Sequence, residues 1–303
     1  MSRSFLEVDD FDAVRLAAVL DRAIAWKTDP AQVPRTLAGK GVAALFEKPS
    51  ARTRLSIEMA VATLGGHPIY IRGEEVGLDT RESVEDVART MACMCSLVAA
   101  RVFDHRTLER MDAAVDVPIV NLLSDRAHPC QALADLVTLR EHYGRLDGLR
   151  IAFVGDGNNV AASLAFGAAL SGVELVVASP EGYELDAEVV ARARNLGGTI
   201  ELTADPYDAV HGVDAIYTDV WTSMGQESER EQRLHAFVGF TVDEPMLKRA
   251  GPEAIFLHCL PAHRGEEVAA EVIDGPRSLV WAQAENRMHA ARALLVDLMQ
   301  DAG

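Results

Sequence analysis

Short apolar runs alternate with helix-patterned segments along almost the whole chain, and few folds accommodate that order. In the first half, runs at 42–46, 68–71, 97–102 and 117–120 read as strands, and helical spacing occupies 11–26, 50–64, 83–94, 105–114 and 130–143. A polar joint, Tyr143-Gly144-Arg145-Leu146-Asp147-Gly148, interrupts the series. Beyond it, strands are expected at 151–154, 175–178, 199–202, 215–218, 255–258 and 278–281, and helices at 160–170, 186–196, 207–210, 266–273 and 285–299. Parallel strands need a crossover, usually a helix, so this order predicts α/β architecture with sheets covered on both faces. We expect two doubly wound parallel-sheet domains joined by helices, at 1–143 and 144–303, with the last helix, about 285–300, long enough to return to the first domain.

Composition narrows the partners. The chain has 303 residues, enough for two ordinary domains, and its hydrophobic fraction of 49% can fill their cores. Net charge is 29 − 46 = −17 and the pI is about 4.9, which argues against nucleic acid or an anionic membrane as partner. The start, MSRSFLEVDDFD, lacks the apolar core of a signal peptide. The most apolar stretch, 91–103, is too short to span a bilayer and contains Arg101. Cys93, Cys95, Cys130 and Cys259 show no zinc or redox spacing, and Cys93-x-Cys95 reads as half-buried helix packing. A cytoplasmic protein with free thiols is expected, without a metal.

In so acidic a chain, clustered arginines carry information. Pro49 breaks the backbone after the strand at 42–46, and Leu55, Met59 and Ala62 then share one helical face. Residues 50–53 should form the first helical turn. Arg52 there, and Arg54 directly after it, are poorly placed, because free N–H groups already make a helix start positive. A doubly charged anion resolves the conflict: backbone N–H groups, Ser50, Thr53 and Arg52 would converge on phosphate. The alternative is a helix start whose arginines pair with carboxylates elsewhere. Arg101 sits at the C-terminal end of an expected strand, where open α/β sheets bind ligands, though it could also be a plain exposed strand end.

Four later stretches invite readings of their own. His128 lies in a loop before Pro129, and Gln131 opens the next helix; a lone histidine is more often a satisfied core or surface residue. Gly155-Asp156-Gly157-Asn158-Asn159-Val160 half-matches a dinucleotide fingerprint. Val160 replaces the third glycine, and no acidic residue ends the next strand. The paired Asn158 and Asn159 offer amides suited to an amino-acid carboxylate or amine. Residues 218–227 leave a strand and enter a long polar segment through Arg233, a lid or a solvated charged loop. His258-Cys259-Leu260-Pro261-Ala262-His263 carries possible metal ligands at a spacing that fits no ordinary zinc site.

Taken as motifs, these stretches resemble the aspartate/ornithine carbamoyltransferase family. FEKPSARTR is similar to its carbamoyl-phosphate signature F-x-K-x-S-x-R-T-R, with Ala51 in place of the commoner Thr. HPCQALAD resembles H-P-x-Q-x-L-A-D, VGDGNNV the D-G-N-N turn, DVWTSMG the loop of the ornithine-using members, and HCLPAHRGEEV matches at eleven positions. The resemblance implies a carbamoyl-phosphate site of Ser50, Ala51, Arg52, Thr53, Arg101, His128, Gln131, Cys259, Leu260 and Arg287, with Arg101, His128 and Cys259 at the reacting atoms. It implies an ornithine site of Asn159, Asp219, Ser223 and Met224. The implied reaction moves a carbamoyl group from carbamoyl phosphate to the δ-amine of L-ornithine, giving L-citrulline and phosphate in arginine metabolism. It implies no cofactor, domain closure, and a homotrimer or multiple of trimers. Competing readings are a related amine as acceptor, a non-catalytic binding subunit, or a dinucleotide-dependent dehydrogenase. In one loop the chain departs from the family: Gly77 stands where many members carry a Gln reaching a neighbouring subunit. Arg81 either substitutes for it or pairs with Glu82, Glu85 or a helix carboxylate.

Overall fold

Two parallel sheets carry the chain in the computed structural model, which describes residues 3–222 and 227–301. β1 (Gly41–Phe46), β2 (His67–Arg72), β3 (Leu97–Arg101) and β4 (Ile119–Leu123) form the first, in the order β2-β1-β3-β4. β5 (Arg150–Val154), β6 (Glu174–Ala178), β7 (Thr199–Thr203), β8 (Ala215–Thr218) and β9 (Ile255–His258) form the second, in the order β7-β6-β5-β8-β9. Every pairing within them is parallel. The inner strands β1 and β3 are apolar at almost every position because helices cover both faces. The edge strands β2 and β7 are largely exposed or half-buried instead. Two compact units result: Met1–Val137 with Glu285–Gly303, and Thr138–Ala284. The division falls inside the helix Pro129–Tyr143 and again inside the final helix Val280–Asp301.

The strand orders decide where ligands can sit. In the first unit the chain steps outward from β1 to β2 and then returns to the other side of β1 as β3. A crevice opens where the winding direction reverses, at the C-terminal ends of β1 and β3. Phe46 and Arg101 are in register there, so the loop after β1 and the end of β3 lie at one level. In the second unit the reversal lies between β5 and β8.

Several expectations change. The helix over Ala51–Thr63 buries Thr53, Ile57, Ala60 and Val61, whereas Leu55 is 63% and Met59 48% exposed. Two apolar stripes compete on this helix, and the one nearer the capped start packs on the sheet. The strand expected at 278–281 is a single bridge from Ser278 to Phe256, because the last helix already begins at Val280. Of the helix expected at 266–273 only Ala270–Ile273 forms; Val268 bridges to Val242 and Arg264 instead. β4 begins two residues later than expected, at Ile119, and runs to Leu123. The charged segment through Arg233 is partly helical, over Arg230–Ala236. A helix over Glu244–Ala250, capped by Asp243, had no expectation at all. Cys93 is exposed and Cys95 buried, so that pair is split across the surface.

Within the first unit the final helix is fixed to the first long helix, Ala13–Thr28. Asp297 accepts from Arg15 Nε at 2.6 Å and from Arg22 Nη1 at 2.8 Å. In the loop at 75–83, Gly77 adopts a left-handed φ of 60° and closes the short helix Gly73–Val76. Arg81 donates to the Glu75 carbonyl at 3.2 Å. Arg110 holds both Asp79 and Glu85, so Glu85 already has a cation partner.

Gly157 follows β5 so closely on Glu184 and Leu185 that a Cβ would lie 2.2 Å from the Leu185 nitrogen. Backbone atoms cannot swing aside as a side-chain tip can. Gly157→Ala should therefore destabilise the chain by about 1–3 kcal/mol. An unchanged thermal melt would contradict this packing.

Candidate active site

Thr53 is the centre of the first unit's crevice. Ser50 caps the helix Ala51–Thr63: its Oγ accepts from the Thr53 nitrogen at 3.3 Å and lies 3.0 Å from Thr53 Oγ1. Two guanidiniums converge on the same hydroxyl. Arg287 Nη2 donates to Thr53 Oγ1 at 2.8 Å, and Arg101 Nη1 approaches it at 3.5 Å. Arg287 also donates from Nη1 to Gln131 Oε1 at 2.8 Å. The Gln131 amide donates in turn to Asp135 Oδ1 at 2.8 Å, which fixes which end of the amide meets the arginine. Thr53, Arg101, His128, Gln131 and Arg287 are all buried, Arg52 is half-buried and Ala51 is exposed.

Electrostatics set the protonation of this group. His128 is held well below the usual histidine range, first by burial and then by Arg287, Arg101 and Arg52. It is a neutral imidazole at neutral pH. Burial pushes the Cys130 thiol up to about 12, and its Sγ donates to the Asn121 carbonyl at 3.3 Å, so it packs as a thiol. Three cations, two hydroxyls and a helix N-terminus thus face one crevice in a protein of charge −17. Such a cradle suits a phosphate dianion and a carbonyl oxygen that gains negative charge.

The second unit gathers a different set around Asp219, at the end of β8. Asp219 Oδ2 accepts from the Asn158 amide at 2.9 Å, and Oδ1 accepts from Cys259 Sγ at 3.0 Å. Asn158 Oδ1 caps the helix Asn159–Ser171, accepting from Val160 and Ala161. Asn158 is therefore bonded to Asp219, and Asn159 begins the helix. Leu260 has a left-handed φ of 60°, and its nitrogen donates to His258 Nδ1 at 2.8 Å. His258 Nε2 faces the wholly buried Glu267 at 3.3 Å, which places its proton on Nε2. Glu267 also accepts from the His263 nitrogen at 2.5 Å, so it braces the backbone that presents Cys259 and Leu260. Ser223 and Met224 lie outside the described residues.

Asn158 stands among the residues that the sequence marks, whereas Asp135, Asp156, Arg233 and Glu267 are not marked there as site residues. Asp135 had a signal, four residues after Gln131 on one helix face. Glu267 has one in the matched motif, but it falls in the expected helix at 266–273, of which only Ala270–Ile273 forms. The pairing of Asp156 with Arg233 spans 77 positions and left no local mark.

Comparison with known proteins follows the same division. Residues 3–141 match the model described as "Aspartate/ornithine carbamoyltransferase, carbamoyl-P binding domain", and residues 147–298 match "Aspartate/ornithine carbamoyltransferase, Asp/Orn binding domain". An ornithine carbamoyltransferase of Acidothermus cellulolyticus is 49% identical over 308 residues, covering 100% of this chain and 98% of that relative. The solved ornithine carbamoyltransferase of Pyrococcus furiosus is 45% identical, with a TM-score of 0.94 over 98% of this chain and 97% of that one. A solved N-acetyl-L-ornithine transcarbamylase is 27% identical, with a TM-score of 0.87 over 97% and 99% of the two chains. With both halves matched and identity near one half along its full length, the chain belongs to the aspartate/ornithine carbamoyltransferase family.

Proposed function

We propose that this chain is an ornithine carbamoyltransferase, converting carbamoyl phosphate and L-ornithine to L-citrulline and phosphate. The observation that carries the reading is the Thr53-centred cluster, where Arg101 and Arg287 meet one buried hydroxyl at a helix start. Full-length similarity to ornithine-using relatives favours ornithine over N-acetylornithine as acceptor. One relative, 45% identical, is named "Ornithine carbamoyltransferase, anabolic", in keeping with a role in arginine synthesis. Four free cysteines suit a reducing cytoplasm, and no described helix is long and apolar enough to cross a membrane. Citrulline formation measured colorimetrically with both substrates tests the assignment, and its absence would refute it.

In this mechanism Ser50, Arg52, Thr53 and Arg287 hold the phosphate, with the backbone N–H of Ala51 available to it. The neutral δ-amine attacks the carbamoyl carbon. Negative charge grows on the carbonyl oxygen, where Arg101 and the neutral His128 donate hydrogen bonds. Gln131, with the Cys259 and Leu260 carbonyls, takes the carbamoyl NH₂. Phosphate then leaves with the bonding electrons and takes up the proton that the nitrogen gives up. Asp219 receives the α-ammonium group, with Asn159, Ser223 and Met224 in the rest of the amino-acid pocket. Cys259, hydrogen-bonded to Asp219, stands beside the attacking amine and forms no covalent bond to substrate.

We further propose a homotrimer or a multiple of trimers. The exposed Leu55 and Met59, one turn apart on the helix carrying the phosphate residues, form an apolar stripe that a second copy would cover. Leu55→Glu should move the sedimentation coefficient toward that of a single chain; unchanged sedimentation would remove that stripe from any interface.

Arg52→Ala should weaken carbamoyl-phosphate binding by about tenfold or more, because a dianion loses a charge-assisted partner. Calorimetric titration reads this directly, and wild-type affinity in the variant would overturn the phosphate assignment.

The pH dependence has a definite sign. His128 has its folded pKa lowered, so it is already neutral through pH 6–9 and contributes no limb there. Ornithine's δ-amine, by contrast, must lose a proton before it attacks. The kcat/KM value should therefore rise with pH from about 6 to 9 where chemistry limits the rate. His128→Asn should lower kcat and leave that limb in place. A limb that disappears with His128 would assign it to the histidine instead.

A further inference from the structure

Two carboxylates stand on adjacent loops in the second unit, and they are treated differently. Asp156 follows β5 and Asp219 follows β8, the two strands that flank the reversal in winding. Among the described residues Asp219 accepts from two neutral donors, the Asn158 amide and the Cys259 thiol. Asp156 is bound to a cation: Arg233 Nη1 reaches its Oδ2 at 2.7 Å. The same nitrogen donates to the Trp221 carbonyl at 3.0 Å, two residues beyond Asp219. Arg233 thus ties the β5 loop to the β8 loop with one atom. Its Nε pairs with Glu229 at 3.0 Å, and its guanidinium carbon lies 5.0 Å from the Tyr183 ring centroid. Only 8% of the Arg233 side chain and 13% of Asp156 remain exposed, so water screens the pair poorly.

We propose that Arg233 is a specificity-determining positioning residue: it neutralises Asp156, leaving Asp219 as the one carboxylate offered to the amine substrate's ammonium group. This rests on the ornithine reading above and adds to it. The two acids feel one another. The Asp156 carboxyl is pushed up first by burial and further by Asp219, while Arg233 opposes both. Ornithine brings one α-ammonium and one α-carboxylate, so a pocket with a single free acid discriminates. A second bare acid would repel the substrate's carboxylate and welcome a diamine. Arg233 also sets the spacing of the loops carrying Asn158 and Asp219, whose mutual bond would loosen without it.

The test compares putrescine, a diamine lacking the carboxylate, with ornithine. Arg233→Met should raise the putrescine-to-ornithine ratio of kcat/KM by about tenfold or more, the scale of uncovering one buried charge. Carbamoyl-phosphate affinity, read by calorimetry, should stay within about twofold, since the first unit is untouched. Removing the uncovered acid as well, in Arg233→Met with Asp156→Asn, should bring the ratio back toward wild type. A merely structural arginine would lower both amines together, and the double variant would not restore selectivity; either result overturns the proposal. If Arg233→Met melts below the assay temperature, Arg233→Lys carries the test: it keeps the charge and loses the planar fork that also holds Glu229, so ornithine KM should rise with selectivity retained. A raised putrescine ratio in the lysine variant would overturn the charge argument. Calorimetric affinities for the two amines give the same ratio without turnover. A wild-type chain that makes no citrulline thus refutes the assigned reaction, and an unmoved ratio refutes only the role of Arg233.

Discussion

A guanidinium from the last helix, Arg287, holds a threonine from residue 53 and an amide from residue 131 in one place. Much of the first unit can be understood as the means of delivering it. Three arginines turned toward one crevice repel each other, and burial removes the water that would screen them. The arrangement therefore needs rigid support from several elements. Asp297 supplies some of it by fixing Arg15 and Arg22 against the final helix. Asp135 supplies more by orienting Gln131. Lys27 reaches the Asn286 side chain at 2.8 Å, one residue from Arg287. Each contact lies some distance from the crevice, and each limits how far the guanidinium can move.

The same constraint explains the neutral histidine. A protonated imidazole among three arginines would be a fourth cation in a buried place. Burial and charge both act against it, so His128 stays neutral and can act as a polar donor to a developing oxyanion. The positive field is thereby reserved for the substrate. On the proposed reading an approaching dianion would find most of its charge partners already in position, so binding would not have to order them anew.

Much of this was legible in the sequence where the signal was local. The succession of strands and helices followed from the alternation of apolar runs with helical spacing, and the polar cluster around Thr53 from a capped helix start crowded with arginine. Legibility ended where two local patterns competed or where partners were distant. Leu55 and Met59 lie at proper helical spacing, yet Ile57, Ala60 and Val61 took the sheet, because spacing gives a stripe but not its direction. Residues 278–281 have strand-like composition, yet the chain turns helical at Val280 after one bridge. Arg233 looked like part of a solvated run because its neighbours are charged. Its burial depends on Asp156, Trp221 and Tyr183, none of them near it in sequence.

The two units apply one geometric device with opposite sign. Each places its polar residues at the C-terminal ends of strands beside the reversal in winding, β1 with β3 and β5 with β8. In the first, a helix start adds its own positive end to Arg52, Arg101 and Arg287. In the second, the helix start at Asn158 is turned to another use: its amide oxygen caps the helix while its amide nitrogen donates to Asp219. One side chain thus serves both the helix and the acid that, on the proposed reading, meets an ammonium group. A parallel sheet supplies the crevice without regard to sign. The residues of the first turn after each strand determine whether that crevice receives an anion or a cation.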